Sequence, residues 1–125
     1  MVTALSIAFF GAVGCLSRYW LSGLVNRLLG SHPFPFGTLV VNLVGAFFIG
    51  LIMELSIRST MLPHTLRIAL TIGLMGGLTT FSTFSMETFT LLERGQLAVA
   101  FANVLLSVSL CLLATWAGIV TVRAV

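Results

Sequence analysis

The sequence GGLTTFSTF, Gly76 to Phe84, places two glycines, four hydroxyl side chains and two phenylalanines inside an otherwise apolar segment. Glycine has low helix propensity and no side chain, so a helix break is predicted over Gly76 to Thr80. A broken helix leaves backbone carbonyls unpaired, and such backbone survives at membrane depth where it lines a cavity or binds an ion. This segment is therefore a candidate ion site. Alternatively, Gly76 and Gly77 only allow two helices to pack closely.

Phe81 and Phe84 stand three residues apart and so share one helix face, whereas Ser82 and Thr83 point elsewhere. The edge of a phenyl ring carries partial positive charge. Edge-on rings would therefore favour an anion weakly, without the strong charge that traps it. In the alternative interpretation, both rings face lipid or a neighbouring helix.

Polar residues in two other apolar segments extend this pattern. Asn42 is the strongly polar residue of FGTLVVNLVGAFFIG, and a buried amide needs several hydrogen-bond partners, either as packing contact or as pore lining. A second group follows at i+4 spacing along one helix face and should face protein or water: Asn103, Ser107, Cys111 and Thr115. Its hydroxyls could instead bond within their own helix or across a helix contact.

Charged residues are few inside the apolar segments. Arg18, next to Tyr19 and Trp20, would extend to the membrane interface or attract anions into a vestibule. Glu87 follows Phe84 by three residues. Glu54 lies near the end of its segment, where a structural role at the interface is expected.

The composition indicates an all-α integral membrane protein. Of 125 residues, 58% are hydrophobic and 7% charged, against about 25% charged in soluble domains. About 20 apolar residues cross a bilayer as a helix. Four such spans are predicted, joined by short connections in a single domain over residues 1–125: Thr3 to Leu29, Gly37 to Ile57, His64 to Leu92 and Gln96 to Val122.

The arginines give little orientation signal. If successive spans cross the membrane in alternating directions, Arg58, Arg67 and Arg123 lie on the same side as the N-terminus. Arg27 and Arg94 then lie on the opposite side. Orientation normally follows an excess of Lys and Arg in cytoplasmic loops. The chain therefore either inserts both ways up or adopts one orientation that charge counting does not resolve. The scattered charge also forms no nucleic-acid surface.

Motifs for catalysis are missing, since the sequence has no G-x-S-x-G, H-E-x-x-H or P-loop pattern; an enzyme is not expected. Two other classes of membrane protein are alternatives to a channel. A small proton-coupled exporter would need a carboxylate in mid-span, preferably in the first span, which has none. A non-transporting assembly subunit would use its glycines and hydroxyls only for packing.

Three stretches resemble the Fluc-type (CrcB) fluoride channels of bacteria and other microbes: GAVGCLSRYW, PFGTLVVNLVGAFFIG and GLMGGLTTFSTFSMETF. The resemblance implies an antiparallel, dual-topology homodimer of four-helix subunits in the bacterial inner membrane. Two fluoride pores would run along the subunit interface, with a structural sodium ion at the centre. The implied function is passive fluoride export, which gives fluoride resistance.

The resemblance also implies residue roles. The backbone carbonyls of Gly76 and Thr79 would hold the sodium ion, and Arg18 would lie in the vestibule. Glu87 is similar to a glutamate near the pore end whose role is not specified. The pore lining would comprise Asn42, Phe81, Phe84, Ser107 and Thr115. Further candidates for the polar track are Ser82, Thr83, Asn103 and Cys111.

Overall fold

The protein forms four apolar helical spans in a computed structural model, described here for residues 1–58 and 62–124. They are α1 (Val2–Leu29), α2 (Phe36–Arg58), a composite third span (His64–Glu93) and a fourth span, Leu97–Arg123. The four predicted spans are confirmed, and their ends differ from the prediction by at most one residue. All four are long and apolar enough to cross a membrane.

The third span is not one continuous α-helix. It consists of α3 (His64–Ile68), a π-helical segment (Ala69–Met75), α4 (Gly76–Leu78) and α5 (Phe81–Glu93). The helical conformation stops at Thr79, with ψ 158°, and at Thr80, with φ −151°. The predicted break over Gly76 to Thr80 is therefore narrower than expected, because Gly76 itself is still helical. The fourth span, Leu97–Arg123, is α6.

Close glycine contacts set the distances between the helices. A Cβ at Gly118 of α6 would collide with the backbone oxygen of Phe47 in α2, and one at Gly50 would collide with the Thr115 oxygen. In the same way, a Cβ at Gly77 would stand 2.5 Å from the Gly11 oxygen of α1. Small residues at helix interfaces allow backbones to approach this closely.

The two glycines before the break have different surroundings. Gly77 packs against α1, as the packing alternative proposes. At Gly76, by contrast, the nearest atom to an added Cβ would be the Thr71 oxygen at 4.0 Å, and the residue is exposed. Packing within this chain therefore does not require a glycine at position 76.

An ion-pair cluster joins the last turns of α2 and α6. The Glu54 side chain, 8% exposed, accepts hydrogen bonds at Oε1 from Arg58 Nε and Arg123 Nε, each at 2.9 Å. Arg123 Nη2 adds a longer bond of 3.3 Å to Oε2. Both arginines lie in the last turn of their helices, where positive charge interacts favourably with the helix dipole. Contact between these ends means that α2 and α6 run parallel, and the structural role expected for Glu54 is observed.

We predict that Gly118→Ala destabilises the folded protein by about 1–3 kcal/mol, because the added methyl group overpacks a backbone contact. Thermal unfolding in detergent measures the change. Gly23→Ala is the matched control, since its Cβ would meet only the flexible end of Arg27 at 3.9 Å. An equal melting temperature for Gly118→Ala and wild type would contradict the close α2–α6 contact.

Candidate functional site

One surface groove of about 400 Å³ brings together most of the predicted site residues. It runs between α2, the break in the third span, and α6. The predicted residues that line it are Asn42, Gly76, Thr79, Phe81, Phe84, Ser107, Cys111 and Thr115. Residues from three separate spans thus meet on one face of the bundle.

The Asn42 side chain satisfies the backbone at the break. Its Oδ1 accepts a 2.8 Å hydrogen bond from the Thr80 N–H, and its Nδ2 donates a 3.2 Å bond to the Thr80 carbonyl. Lipid offers no partner for these backbone groups, so an amide, which both donates and accepts, is suited to this position. Because Asn42 also lines the groove, both of its predicted roles are compatible with the structure.

Thr80 starts the next helix. Its hydroxyl oxygen accepts a 3.2 Å hydrogen bond from the Thr83 N–H and also contacts the Thr83 hydroxyl at 2.9 Å. This is the N-cap arrangement that satisfies a free amide at a helix start. The break is therefore held from both sides, by a cap within the third span and by an amide from α2.

The break also changes the hydrogen-bond partners of the Gly76 and Thr79 carbonyl groups. In a continuous helix the Thr80 N–H would donate to the Gly76 carbonyl, but here it donates to Asn42 Oδ1. The Thr79 carbonyl receives Arg18 Nη1 at 3.5 Å. Carbonyls of unwound backbone and of the last turn before a helix break are typical sodium ligands, so those of Thr79 and Gly76, respectively, are suited to hold Na⁺. Within the described residues, no cluster of three His, Cys, Asp or Glu side chains offers a metal site.

Phe81 and Phe84 lie together on the groove, with ring centroids 5.5 Å apart and planes inclined at 43°. Phe81 is 78% exposed in the single chain. The two residues between them do not line the groove: Thr83 lines a neighbouring pocket and Ser82 contacts the Thr80 hydroxyl at 3.3 Å. The predicted shared face of the two rings is thus observed.

Arg18 lies in that neighbouring pocket, of about 290 Å³, on the α1 side of the break. The pocket is lined mainly by small polar side chains: Cys15, Ser22, Thr38, Thr80 and Thr83. Thr80 lines both this pocket and the groove. An arginine among hydroxyl groups is suited to attract an anion, and the vestibule role of Arg18 stays a prediction.

Glu87 stands apart from the groove. Its Oε1 accepts a 2.9 Å hydrogen bond from the Thr38 hydroxyl, while Oε2 is buried without a partner in the described residues. The side chain lines a third pocket, of about 320 Å³, together with His32 and Arg94. The structure therefore places Glu87 at the end of the bundle near the α1–α2 connection.

The polar stripe of α6 divides into two parts. Ser107, Cys111 and Thr115 line the groove, but Asn103 is 1% exposed and does not. Instead Asn103 Nδ2 donates to the Thr88 hydroxyl at 2.8 Å, and its Oδ1 accepts from Ser107 at 3.3 Å. Asn103 thus joins α5 to α6, which is the helix-contact alternative for this position.

Sequence reasoning missed the roles of Thr38, Thr80 and Thr88, the partners of Glu87, Asn42 and Asn103. For Thr80 a local signal existed, because a threonine before a helical run is a common N-cap. The other two partnerships join different helices, separated by 49 and 15 residues. No local pattern reports such a pairing.

Comparison with known proteins gives a consistent family. Residues 5–119 match the family model described as CrcB-like protein, Camphor Resistance (CrcB). A protein of Trichlorobacter lovleyi named fluoride-specific ion channel FluC is 67% identical over 123 residues, covering 98% of both chains. Proteins of the same name from Pelobacter propionicus and Geobacter sulfurreducens are 64% and 59% identical, each covering at least 95% of both chains.

We predict that Asn42→Leu destabilises the protein by about 1–3 kcal/mol for each Thr80 backbone group that it leaves unpaired. Amide hydrogen exchange at Thr80 should quicken. Asn42→Asp is the comparison variant: its carboxylate still accepts from the Thr80 N–H but cannot donate to the carbonyl, so protection of that amide should largely persist. Equal exchange rates in all three proteins would rule out the amide bridge.

Proposed function

Since the chain belongs to the CrcB family, we propose that its groove is one wall of a fluoride pore that a second copy completes. The chain is a fluoride-selective ion channel and not an enzyme, and it is a multi-pass protein of the bacterial inner membrane. The observation that carries the pore proposal is the shared groove, where the two phenyl rings, Asn42 and the α6 polar residues face one space.

A single chain offers only half of such a path. The groove is open along the surface, and Phe81 is largely exposed beside it. An ion crossing the membrane needs walls on all sides, and a second copy packed on this face would supply them. In an antiparallel homodimer the two grooves are equivalent, which gives two pores. The near balance of arginines on the two faces is compatible with insertion in both orientations.

The groove has the chemistry to hold fluoride weakly. Asn42 Nδ2 uses one proton on Thr80, and its second proton is free for an anion. The Thr115 hydroxyl donates to the Cys111 carbonyl at 3.0 Å, and the Ser107 hydroxyl to Asn103. We propose that these hydroxyls turn toward fluoride as it passes. The edges of Phe81 and Phe84 add weak attraction. Among the described residues that line the groove there is no arginine or lysine whose charge would trap the ion.

The sodium ion is proposed at the break. The carbonyls of Gly76 and Thr79 from each subunit would hold it, as the resemblance implies. Exposure of Gly76 and the free space beside it support this location, because a second copy can bring its own carbonyls close. The ion would then join the two subunits as well as the two halves of the third span.

The physiological direction is passive export. Fluoride enters from acidic surroundings as neutral HF and ionises in the more alkaline cytoplasm. The anion cannot recross lipid unaided, because charge in hydrocarbon is costly. A selective channel lets it leave down its gradient and so gives fluoride resistance.

Passive efflux from liposomes tests the function directly. The purified protein is reconstituted with internal fluoride, and release is followed with a fluoride electrode; the measurement is repeated with chloride. Rapid fluoride release with negligible chloride release is expected. Comparable release of both ions, or of neither from a folded protein in sodium, would contradict a fluoride-selective channel.

We predict that Phe81→Ile and Phe84→Ile each lower fluoride efflux by about 10-fold or more, since the polar ring edge is lost while the apolar volume is largely kept. Phe89→Ile is the matched control, because Phe89 is on the same helix, is 56% exposed and does not line the groove. Unchanged flux with intact dimers for both pore variants would favour a packing role for the rings.

We predict that sodium stabilises the dimer. Exchange of sodium for N-methylglucamine should lower the dimer fraction in size-exclusion chromatography and the melting temperature, because a ligand bound only to the native state stabilises it. Potassium serves as the control cation at equal ionic strength. Identical dimer fraction and melting temperature after exhaustive exchange would count against Gly76 and Thr79 as sodium ligands.

A further inference from the structure

We infer that Arg18 regulates the sodium site: its guanidinium shares the Thr79 carbonyl with the ion and lowers the affinity for sodium. The inference rests on the proposed function, which places sodium at that carbonyl. It assigns Arg18 a positioning role at the break in addition to attracting anions.

The contact is built into the packing of α1 against the third span. Arg18 Nη1 lies 3.5 Å from the Thr79 oxygen. One turn earlier in α1, a Cβ at Gly14 would collide with the Leu74 oxygen, so the two backbones approach closely here. The guanidinium is thereby held at the break. At 3.5 Å the hydrogen bond is long, and a carbonyl oxygen has two lone pairs, so the contact leaves room for a second cation on the same oxygen.

The Arg18 charge has no compensating carboxylate in its pocket. The residues that line the pocket beside it carry hydroxyl, thiol and apolar side chains, with no Asp or Glu among those described. The other hydrogen-bond contact of the guanidinium among the described residues joins Nη2 to Cys15 Sγ at 3.9 Å. An uncompensated positive charge near a bound Na⁺ repels it, and partial burial weakens the screening by water.

Two consequences follow for the break. With sodium bound, the arginine opposes the ion and keeps its affinity moderate. When sodium leaves, the guanidinium still provides a donor for the Thr79 carbonyl, which lipid cannot provide. Neutralising Arg18 should therefore tighten sodium binding while making the sodium-free protein less stable.

The experiment measures the sodium concentration at half-maximal stabilisation in thermal unfolding, with N-methylglucamine keeping ionic strength constant. Arg18→Gln removes the charge, and Arg18→Met is a second neutral variant in case the first does not fold. Arg18→Lys keeps the charge. Arg27→Gln is the matched control, because it removes an arginine from the same helix away from the break.

For either neutral variant we expect the sodium midpoint to fall by about tenfold, as one nearby charge is removed. Arg18→Lys and Arg27→Gln should stay within about twofold of wild type. An unchanged or raised midpoint in a folded neutral variant would overturn the inference and leave the sodium site intact. If the melting temperature of the wild-type protein does not change with sodium concentration, the proposed sodium site is overturned, and the inference with it.

Discussion

The structure depends on the pairing of Asn42 with the backbone of Thr80. A membrane helix normally satisfies its own backbone, and hydrocarbon supplies no substitute. In the third span this internal backbone pairing is interrupted at Thr79 and Thr80. The amide of Asn42 restores both a donor and an acceptor for Thr80. Without this amide, the break would carry unpaired polar groups at membrane depth. The backbone at Thr79 and Thr80, which lines the groove, would then be destabilised.

Glycines allow the neighbouring helices to come close enough to form hydrogen bonds with the break. Gly77 abuts the backbone of Gly11 in α1, and Gly45 in α2 faces the methyl group of Thr79. Because these residues lack side chains, α1 and α2 approach the break from two sides. Arg18 reaches it from the first helix and Asn42 from the second. The helix packing is thus part of the site and not only a support for it.

The single chain leaves both large apolar side chains and a partly polar groove open on its surface. Its buried core is small, and many large apolar side chains are exposed, including Phe81 beside the groove. Lipid accounts for exposed apolar residues on the outer faces. Asn42 and Thr115 already have partners within the chain, but polar side chains that line an open groove are still disfavoured beside lipid. A second copy across the groove is the arrangement that would enclose both these polar groups and an anion.

The sequence by itself determined the membrane class, the four spans and the family, because hydropathy and the motif around Gly76 to Phe84 are local properties. It also indicated the face that Phe81 and Phe84 share, since helix periodicity fixes it. Tertiary structure alone decided that the break begins at Thr79, that Asn103 joins two helices, and that Arg18 contacts the Thr79 carbonyl. The contacts of Asn103 and Arg18 are pairings between spans, which depend on helix distance and rotation and are not encoded in local residue spacing.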